Sequence, residues 1–236
     1  MRRSILSFKW EQRYVAALHF KHYQDLRNHS GIHSLQPFDQ YECIFIHIPK
    51  NGGISVANGL FGQGRMLGGH YSNDFYRIIF GEEFNHYFKF AITRNPWDRL
   101  VSAFHYLKGG GLDFRDVAWE RKHISQYNDF STFVDSWVCS KNVKKGMHFI
   151  PQSEFICDTE GKIVTDYIGR FECIDHDFAN LAKKLKIKNA RLLHSNQSKR
   201  RKDYRFYYSD EQAKRVESVY AADIKAFGYQ YDKPFS

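Results

Sequence analysis

Apolar residues along this chain alternate between strand-like runs and helix-like spacing. Two short apolar runs, residues 42–48 and 87–93, predict buried strands, and residues 162–169 form a third strand-like stretch. Apolar residues at helical spacing predict helices over residues 53–60, 73–80, 96–107, 129–138, 175–185 and 209–227. Strands that alternate with helices favour a parallel sheet with helices on both faces. The pattern therefore predicts an α/β fold.

Three segments interrupt this alternation. Residues 1–40 predict an N-terminal helical extension that packs on a single domain, residues 41–236. Glycines within residues 62–69 predict a mobile loop, and a run of three glycines begins a segment, residues 109–128, that we expect to be flexible.

The first strand leads directly into a turn that contains a lysine and two glycines. It reads Pro49-Lys50-Asn51-Gly52-Gly53-Ile54-Ser55. The first N–H groups of the helix that follows have no acceptor within the helix, and the helix dipole makes that end positive. Glycine lets the backbone approach a ligand closely, Lys50 adds a charge, and Ser55 adds a hydroxyl donor. The turn predicts a seat for a phosphate-like dianion, with an ordinary tight turn as the alternative.

A second motif follows the second strand. It reads Arg94-Asn95-Pro96-Trp97-Asp98-Arg99-Leu100-Val101-Ser102-Ala103-Phe104. Asn95 can cap the next helix, and Pro96 suits its first position. Arg94 stands at the carboxyl end of a strand, where open α/β sheets bind ligands. Arg94 and Ser102 could hold a second phosphate, and the alternative is an ion pair between Arg94 and Asp98 beside a neutral helix serine.

Together the two motifs resemble those of the sulfotransferases, specifically the membrane-type (family 2) carbohydrate sulfotransferase superfamily. The second motif matches the family pattern R-N-P-x-D-R-x-x-S-x-[YF] closely, whereas the first departs from P-K-x-G-G-[ST]-[ST] at Asn51 and Ile54. Further landmarks are Ile150-Pro151-Gln152 with Phe155, Ile168-Gly169-Arg170-Phe171-Glu172, and Asn196-Gln197-Ser198 with Tyr204, Tyr207 and Tyr208. The resemblance covers residues 41–230 and implies a P-loop-like, three-layer fold with a central parallel sheet.

The resemblance also implies a sulfate donor, 3′-phosphoadenosine 5′-phosphosulfate (PAPS). Its 5′-phosphosulfate would be held by Lys50 at the bridging oxygen, by the N–H groups of residues 51–55 and by the Ser55 hydroxyl. Arg94 and Ser102 correspond to the residues that bind the 3′-phosphate. The cationic residues 198–205 include Ser198 and Arg200, which we expect near the donor, with a solvated loop as the alternative.

Sulfuryl transfer to a hydroxyl requires a general base. We predict that His70 is this base, because it lies in a glycine-flanked loop between the two motifs, in a context similar to that of the histidine used by relatives that act on uronic acid. Other candidates remain open, namely His47, His105, His148, Glu154 and His194. None of the 12 histidines shows metal-ligand spacing, so no metal is predicted.

Composition adds expectations about partners and location. With 35 Lys and Arg against 26 Asp and Glu the net charge is +9, which favours anionic partners. No nucleic-acid-binding signature is present, so we expect PAPS and an acidic glycan rather than a polynucleotide. Cys43 and Cys157 lie in apolar runs and are expected to be buried thiols. Without a membrane-length apolar stretch or a signal sequence, the expectation is a soluble cytoplasmic enzyme.

The predicted activity is transfer of a sulfuryl group from PAPS to a hydroxyl, most simply of a carbohydrate, by in-line displacement. Residues 62–75 and 108–128 are expected to form the acceptor walls, since loops carry specificity. One alternative is another acceptor class, such as a protein tyrosine, a lipid or a small metabolite. A second alternative is a nucleotide- or polyanion-binding relative that has lost catalysis, and intact Lys50, Arg94 and Ser102 argue against it.

Overall fold

A computed structural model describes residues 7–62, 64, 67, 69–193, 201 and 203–232. The chain divides into two units, residues 1–93 with 152–195 and residues 94–151 with 196–236. The strands are β1 (Cys43–Ile46), β2 (Phe88–Thr93) and β3 (Tyr167–Arg170). The α-helices are α1 (Phe8–Leu18), α2 (Phe20–Asn28), α3 (Gln36–Gln40), α4 (Gly53–Phe61), α5 (Asn73–Phe80), α6 (Glu83–His86), α7 (Pro96–Lys108), α8 (Phe114–His123), α9 (Phe130–Trp137), α10 (Ser153–Ile156), α11 (Ile174–Lys184), α12 (Asp210–Val219) and α13 (Ala221–Phe227).

The first unit is built on a parallel sheet with the strand order β1-β2-β3. Cys43 pairs with Phe88 across β1 and β2, and Phe90 pairs with Tyr167 across β2 and β3. Every residue of β1 is buried, as is all of β2 after its first residue, because helices cover a parallel sheet. Helix α3 packs against β1 and α11 against β3. The predicted α/β class with a parallel sheet flanked by helices is confirmed.

Helices with strong local signals lie close to their predicted positions. Helix α5 begins and ends as predicted. Helix α7 begins at Pro96 because the Asn95 side chain accepts hydrogen bonds from the N–H groups of Trp97 (3.1 Å) and Asp98 (3.4 Å). The single helix predicted over residues 209–227 is instead two helices, α12 and α13, which meet at Tyr220 in a non-helical conformation.

The prediction of a flexible segment over residues 109–128 is wrong in its centre, where α8 forms. Asp116 fixes this helix, since its carboxylate accepts hydrogen bonds from the Tyr106 hydroxyl (2.7 Å) and the Leu112 N–H (2.9 Å) and contacts His148 Nε2 (3.0 Å). Burial alone would raise the pKa of Asp116, but the hydrogen bonds outweigh it and lower this pKa. The ionised carboxylate therefore ties α8 to its neighbours.

The N-terminal residues form the helix pair α1 and α2 within the first unit. Ala16 is fully buried and Tyr23 is nearly so, because α1 packs on α5 and α2 packs on α3 and α5. The division into an extension, residues 1–40, and a domain, residues 41–236, stays a prediction.

Cys43 and Cys157 are buried, as expected from their apolar surroundings, and burial raises the pKa of the Cys43 thiol. Across the ranges given above, no helix has both the length and the apolarity to cross a bilayer.

Candidate active site

The turn after β1 combines left-handed residues with the start of a helix. Lys50 and Gly52 adopt left-handed conformations, with φ of 71° and 76°. Successive backbone N–H groups in such turns can converge on one anion, and a non-glycine residue in this conformation carries backbone strain. Gly52 is the N-cap residue of α4, and the first hydrogen bond of this helix joins the Val56 N–H to the Gly52 carbonyl (3.2 Å). The N–H groups of the three residues between them precede that bond and point toward the helix start.

The side chain of Asn51 does not face a ligand. It is 1% exposed, and its Nδ2 donates hydrogen bonds to the Ile92 carbonyl (2.7 Å) and to Gln152 Oε1 (2.7 Å). Gln152 is itself fully buried. The side chain therefore anchors the turn to β2, and the role predicted for the Asn51 backbone N–H in anion binding stays a prediction. Sequence reasoning missed this anchoring role of Gln152, although the residue belongs to a recognised landmark.

His47 packs directly beneath the start of α4. Its ring is 6% exposed, and a Cβ atom added at Gly53 would lie 2.0 Å from its Cδ2 and 2.2 Å from its Nε2. Only glycine therefore fits at the first position of this helix. Burial, and secondarily the charge of His70, lowers the pKa of His47 well below its ordinary value, so this imidazole is neutral.

His70 lies beside His47. Its Nδ1 is 3.0 Å from the His47 carbonyl oxygen, and the two rings meet edge to face with centroids 4.4 Å apart. Because a carbonyl can only accept, this contact assigns the proton of neutral His70 to Nδ1. In this tautomer Nε2 carries the lone pair. A general base needs such a lone pair to accept a proton. His47 thus contacts both the start of α4 and the ring of His70.

Replacing Gly53 with alanine should disturb both the packing of the His47 ring and the start of α4. The added methyl must displace the His47 ring, and overpacking of this kind costs about 1–3 kcal/mol of folding stability. We expect a lower Tm and weaker binding of 3′-phosphoadenosine 5′-phosphate (PAP), read by thermal unfolding and calorimetry. Combining Gly53→Ala with His47→Ala should recover part of the lost stability. If the stability losses of the two single variants simply add in the double variant, the added methyl does not clash with the His47 ring.

In the second unit, Arg94 forms the ion pair that sequence analysis left open as an alternative. Its Nε and Nη2 atoms contact Asp98 Oδ2 at 2.8 and 2.7 Å, and both residues are buried. A guanidinium has several further N–H donors, so pairing with Asp98 and binding of a phosphate are compatible. The carboxylate holds the Nε edge of Arg94 in a fixed orientation. Ser102 lies on α7 and is half-buried.

Two other residues of the second motif, Trp97 and Arg99, form hydrogen bonds within the second unit. Trp97 Nε1 donates to the Ala213 carbonyl (2.9 Å), and the Tyr208 hydroxyl donates to the Trp97 carbonyl (2.8 Å). Arg99 is 2% exposed and donates through Nη1 to the Ile150 carbonyl (2.9 Å). These contacts make Trp97, Arg99 and Tyr208 structural residues that hold the start of α7.

Three further candidate bases, His105, His148 and Glu154, have described positions. His105 Nδ1 contacts the carbonyl of Val101 on its own helix (3.0 Å), which leaves the lone pair of a neutral His105 on Nε2, as in His70. His148 has Nε2 against Asp116, and its Nδ1 is buried from solvent, so neither nitrogen can reach an acceptor hydroxyl. Glu154 is half-buried on α10.

Several predicted residues lie outside the described part of the chain. These are His194, Ser198 and Arg200, as well as residues within the glycine-rich loop that precedes His70. Within the cationic stretch, Arg205 pairs with Asp203 (2.6 Å). Among the residues with described positions, no group of three or more His, Cys, Asp or Glu side chains is arranged to hold a metal ion.

Comparison with known proteins identifies one family. A model described as the sulfotransferase family matches residues 70–230, which include His70, Arg94 and Ser102 and begin after the Lys50 turn. No curated protein and no solved structure matches the chain. Since the match covers more than half of the sequence, the chain belongs to the sulfotransferase family, whose members transfer a sulfuryl group.

Proposed function

We propose that the protein transfers the sulfuryl group of PAPS to a hydroxyl group of a carbohydrate acceptor. The observation that carries this proposal is the arrangement of Lys50, His47 and His70 in the first unit. His47 contacts both the start of α4, at Gly53, and the ring of His70, so the Lys50 turn and an imidazole whose Nε2 carries the lone pair lie in one region of the first unit. Such an arrangement offers a cation for the leaving group and a base for the nucleophile.

The Lys50 turn would bind the 5′-phosphosulfate. Its left-handed residues and the start of α4 present backbone N–H groups, and Ser55 adds a hydroxyl. Negative charge grows on the 5′-phosphate as the S–O bond breaks, so the Lys50 ammonium interacts more strongly with the transition state than with the bound donor.

The second motif would bind the 3′-phosphate. The orientation of Arg94 by Asp98 suits a bidentate contact with phosphate oxygens, and Ser102 would add a hydroxyl donor. Ser198 and Arg200 are further proposed donor contacts, inferred from the family resemblance and their sequence alone. Two phosphate sites distinguish PAPS from a nucleotide with one phosphate group.

His70 would act as the general base. Nε2 accepts the proton of the acceptor hydroxyl, whose oxygen forms a new bond to sulfur. The bond between sulfur and the bridging oxygen breaks, and its electron pair leaves with PAP. Contact between His70 Nδ1–H and the His47 carbonyl stabilises the imidazolium that forms, because that N–H remains a donor after protonation.

Incubation with PAPS that carries radiolabelled sulfate tests this function. The acceptor panel would contain acidic and neutral glycans, a tyrosine peptide, a lipid alcohol and a small hydroxyl metabolite. We expect the label on a glycan together with release of PAP. Label on a different acceptor would correct the acceptor class. Binding of PAP without transfer to any acceptor would instead favour a non-catalytic relative.

A further inference from the structure

The N-terminal helix pair contacts the segment that carries the proposed base. This segment, residues 69–74, is called the His70 segment below. Gln12 Oε1 accepts a hydrogen bond from the Ser72 N–H (3.1 Å), and Arg13 Nε lies 3.3 Å from Asp74 Oδ1. The hydroxyls of Tyr23 and Tyr71 are hydrogen-bonded at 2.5 Å. Side chains from α1 and α2 thus reach three residues of the His70 segment.

The contact from Gln12 replaces a missing helix cap. Ser72 is the N-cap residue of α5, and no side-chain capping bond is found there in the described part of the chain. In a capping box, a Glu or Gln at position N3 accepts from the N-cap N–H, but N3 of α5 is Phe75. Gln12, which is 4% exposed, supplies that acceptor from another helix, and Ser72 is fully buried. Removing the Gln12 side chain would leave the buried Ser72 N–H without this acceptor.

Tyr71, next to His70, is held on two sides. Its ring stacks on Phe75 with centroids 3.8 Å apart and meets the ring of Tyr23 edge-on at 5.5 Å. Tyr23 also packs edge-on against Phe75 (4.7 Å) and is 7% exposed. The position of Tyr71 therefore depends on α2, through Tyr23, as well as on Phe75 of α5.

We propose that Gln12 and Tyr23 are positioning residues that align His70 with the acceptor hydroxyl. The inference rests on the proposed role of His70 as the base. The imidazole contacts the His47 carbonyl through Nδ1, and on its C-terminal side Gln12 holds the Ser72 backbone while Tyr23 holds the Tyr71 side chain. Proton transfer requires the base within hydrogen-bonding distance of the hydroxyl, and a displacement of about 1 Å can cost about a hundredfold in rate.

Two substitutions test the alignment separately. Tyr23→Phe removes only a hydroxyl, and Gln12→Leu replaces the amide group, including the oxygen that accepts from Ser72, with an apolar group of similar size. For each we expect kcat to fall about tenfold at saturating PAPS, with an unchanged Kd for PAP. Gln12→Glu retains an acceptor and should recover most of the lost kcat. The matched control is Tyr87→Phe, whose hydroxyl bonds Asp39 (2.9 Å) rather than the His70 segment, and it should keep the wild-type kcat.

Proton–nitrogen NMR of the histidine side chains supplies a readout that needs no catalysis. The His70 signal, identified by its loss in His70→Ala, should report the Nδ1–H tautomer in the wild-type protein and in Tyr87→Phe. It should shift in Tyr23→Phe and Gln12→Leu. A lower Tm with an unchanged His70 signal and an unchanged kcat would overturn the proposal, as would a lower kcat with an unchanged signal. If the wild-type protein transfers no sulfuryl group, the proposed function fails, and the NMR comparison still decides whether these residues align His70.

Discussion

Lys50→Met is expected to lower kcat for sulfuryl transfer by about a thousandfold, the effect of removing a donor that stabilises charge in the transition state. Methionine keeps the length of the side chain and removes only its ammonium group. The left-handed backbone at this position already holds a side chain, so the substitution should not disturb the turn. Loss of rate would therefore reflect the missing charge at the leaving 5′-phosphate.

Single-turnover kinetics at saturating PAPS measures this effect without interference from donor affinity. Lys183→Met provides the matched control, because Lys183 is exposed on α11 of the same unit. The control should retain the wild-type rate. A Lys50→Met protein that transfers within about threefold of the wild-type rate would show that another group stabilises the leaving phosphate, since losses attributed to such a group are about a hundredfold or more.

His70→Ala should lower kcat by about a hundredfold to ten-thousandfold, the usual contribution of a general base, while the Kd for PAP stays near its wild-type value. The wild-type kcat should fall at acid pH, because a protonated imidazole cannot accept the hydroxyl proton. That acid limb should disappear from the small residual rate of the variant.

The pH–rate profile and chemical rescue together check the role of His70. Added imidazole should restore part of the activity of His70→Ala and have no effect on His176→Ala, a control at an exposed position of α11. Retention of the acid limb and of most activity in His70→Ala would assign the base to another residue.

Local signals in the sequence were sufficient for much of the fold. Helix α5 was predicted with its bounds, and the start of α7 followed from Asn95 and Pro96, because capping and fixed φ act within a few residues. The parallel strands were visible as apolar runs, since both faces of such a sheet are buried.

Helix α8 has a local cap in Asp113, whose carboxylate accepts hydrogen bonds from the N–H groups of Arg115 (2.8 Å) and Asp116 (3.3 Å), but its other signals did not support a helix. It contains no buried residue and therefore shows no apolar periodicity, and the preceding glycines indicated a flexible segment. Asp116 stabilises it through Tyr106 and His148, which lie 10 and 32 residues away in the sequence. Partners this distant leave no local pattern for a sequence to show.

In the candidate site, too, local motifs were visible in the sequence and long-range contacts were not. The Lys50 turn and the Arg94 motif were recognised because their residue types and order are themselves the signal. The inward orientation of Asn51 and the contact between Gln12 and Ser72 were not foreseen, since each joins residues far apart in the sequence. A polar side chain gives no indication of its partner until the fold brings the two together.

Calorimetric titration with PAP and with adenosine 5′-phosphate tests the central proposal, that the protein binds a sulfate donor through phosphate groups at both its 5′ and its 3′ position. We expect PAP to bind the wild-type protein about a hundredfold more tightly than adenosine 5′-phosphate, since charge-assisted contacts to the 3′-phosphate contribute about 1.5–3 kcal/mol. Arg94→Lys should reduce that difference, and Lys50→Met should weaken the binding of both nucleotides. Equal affinity of the wild-type protein for the two nucleotides, or binding of neither, would contradict the account.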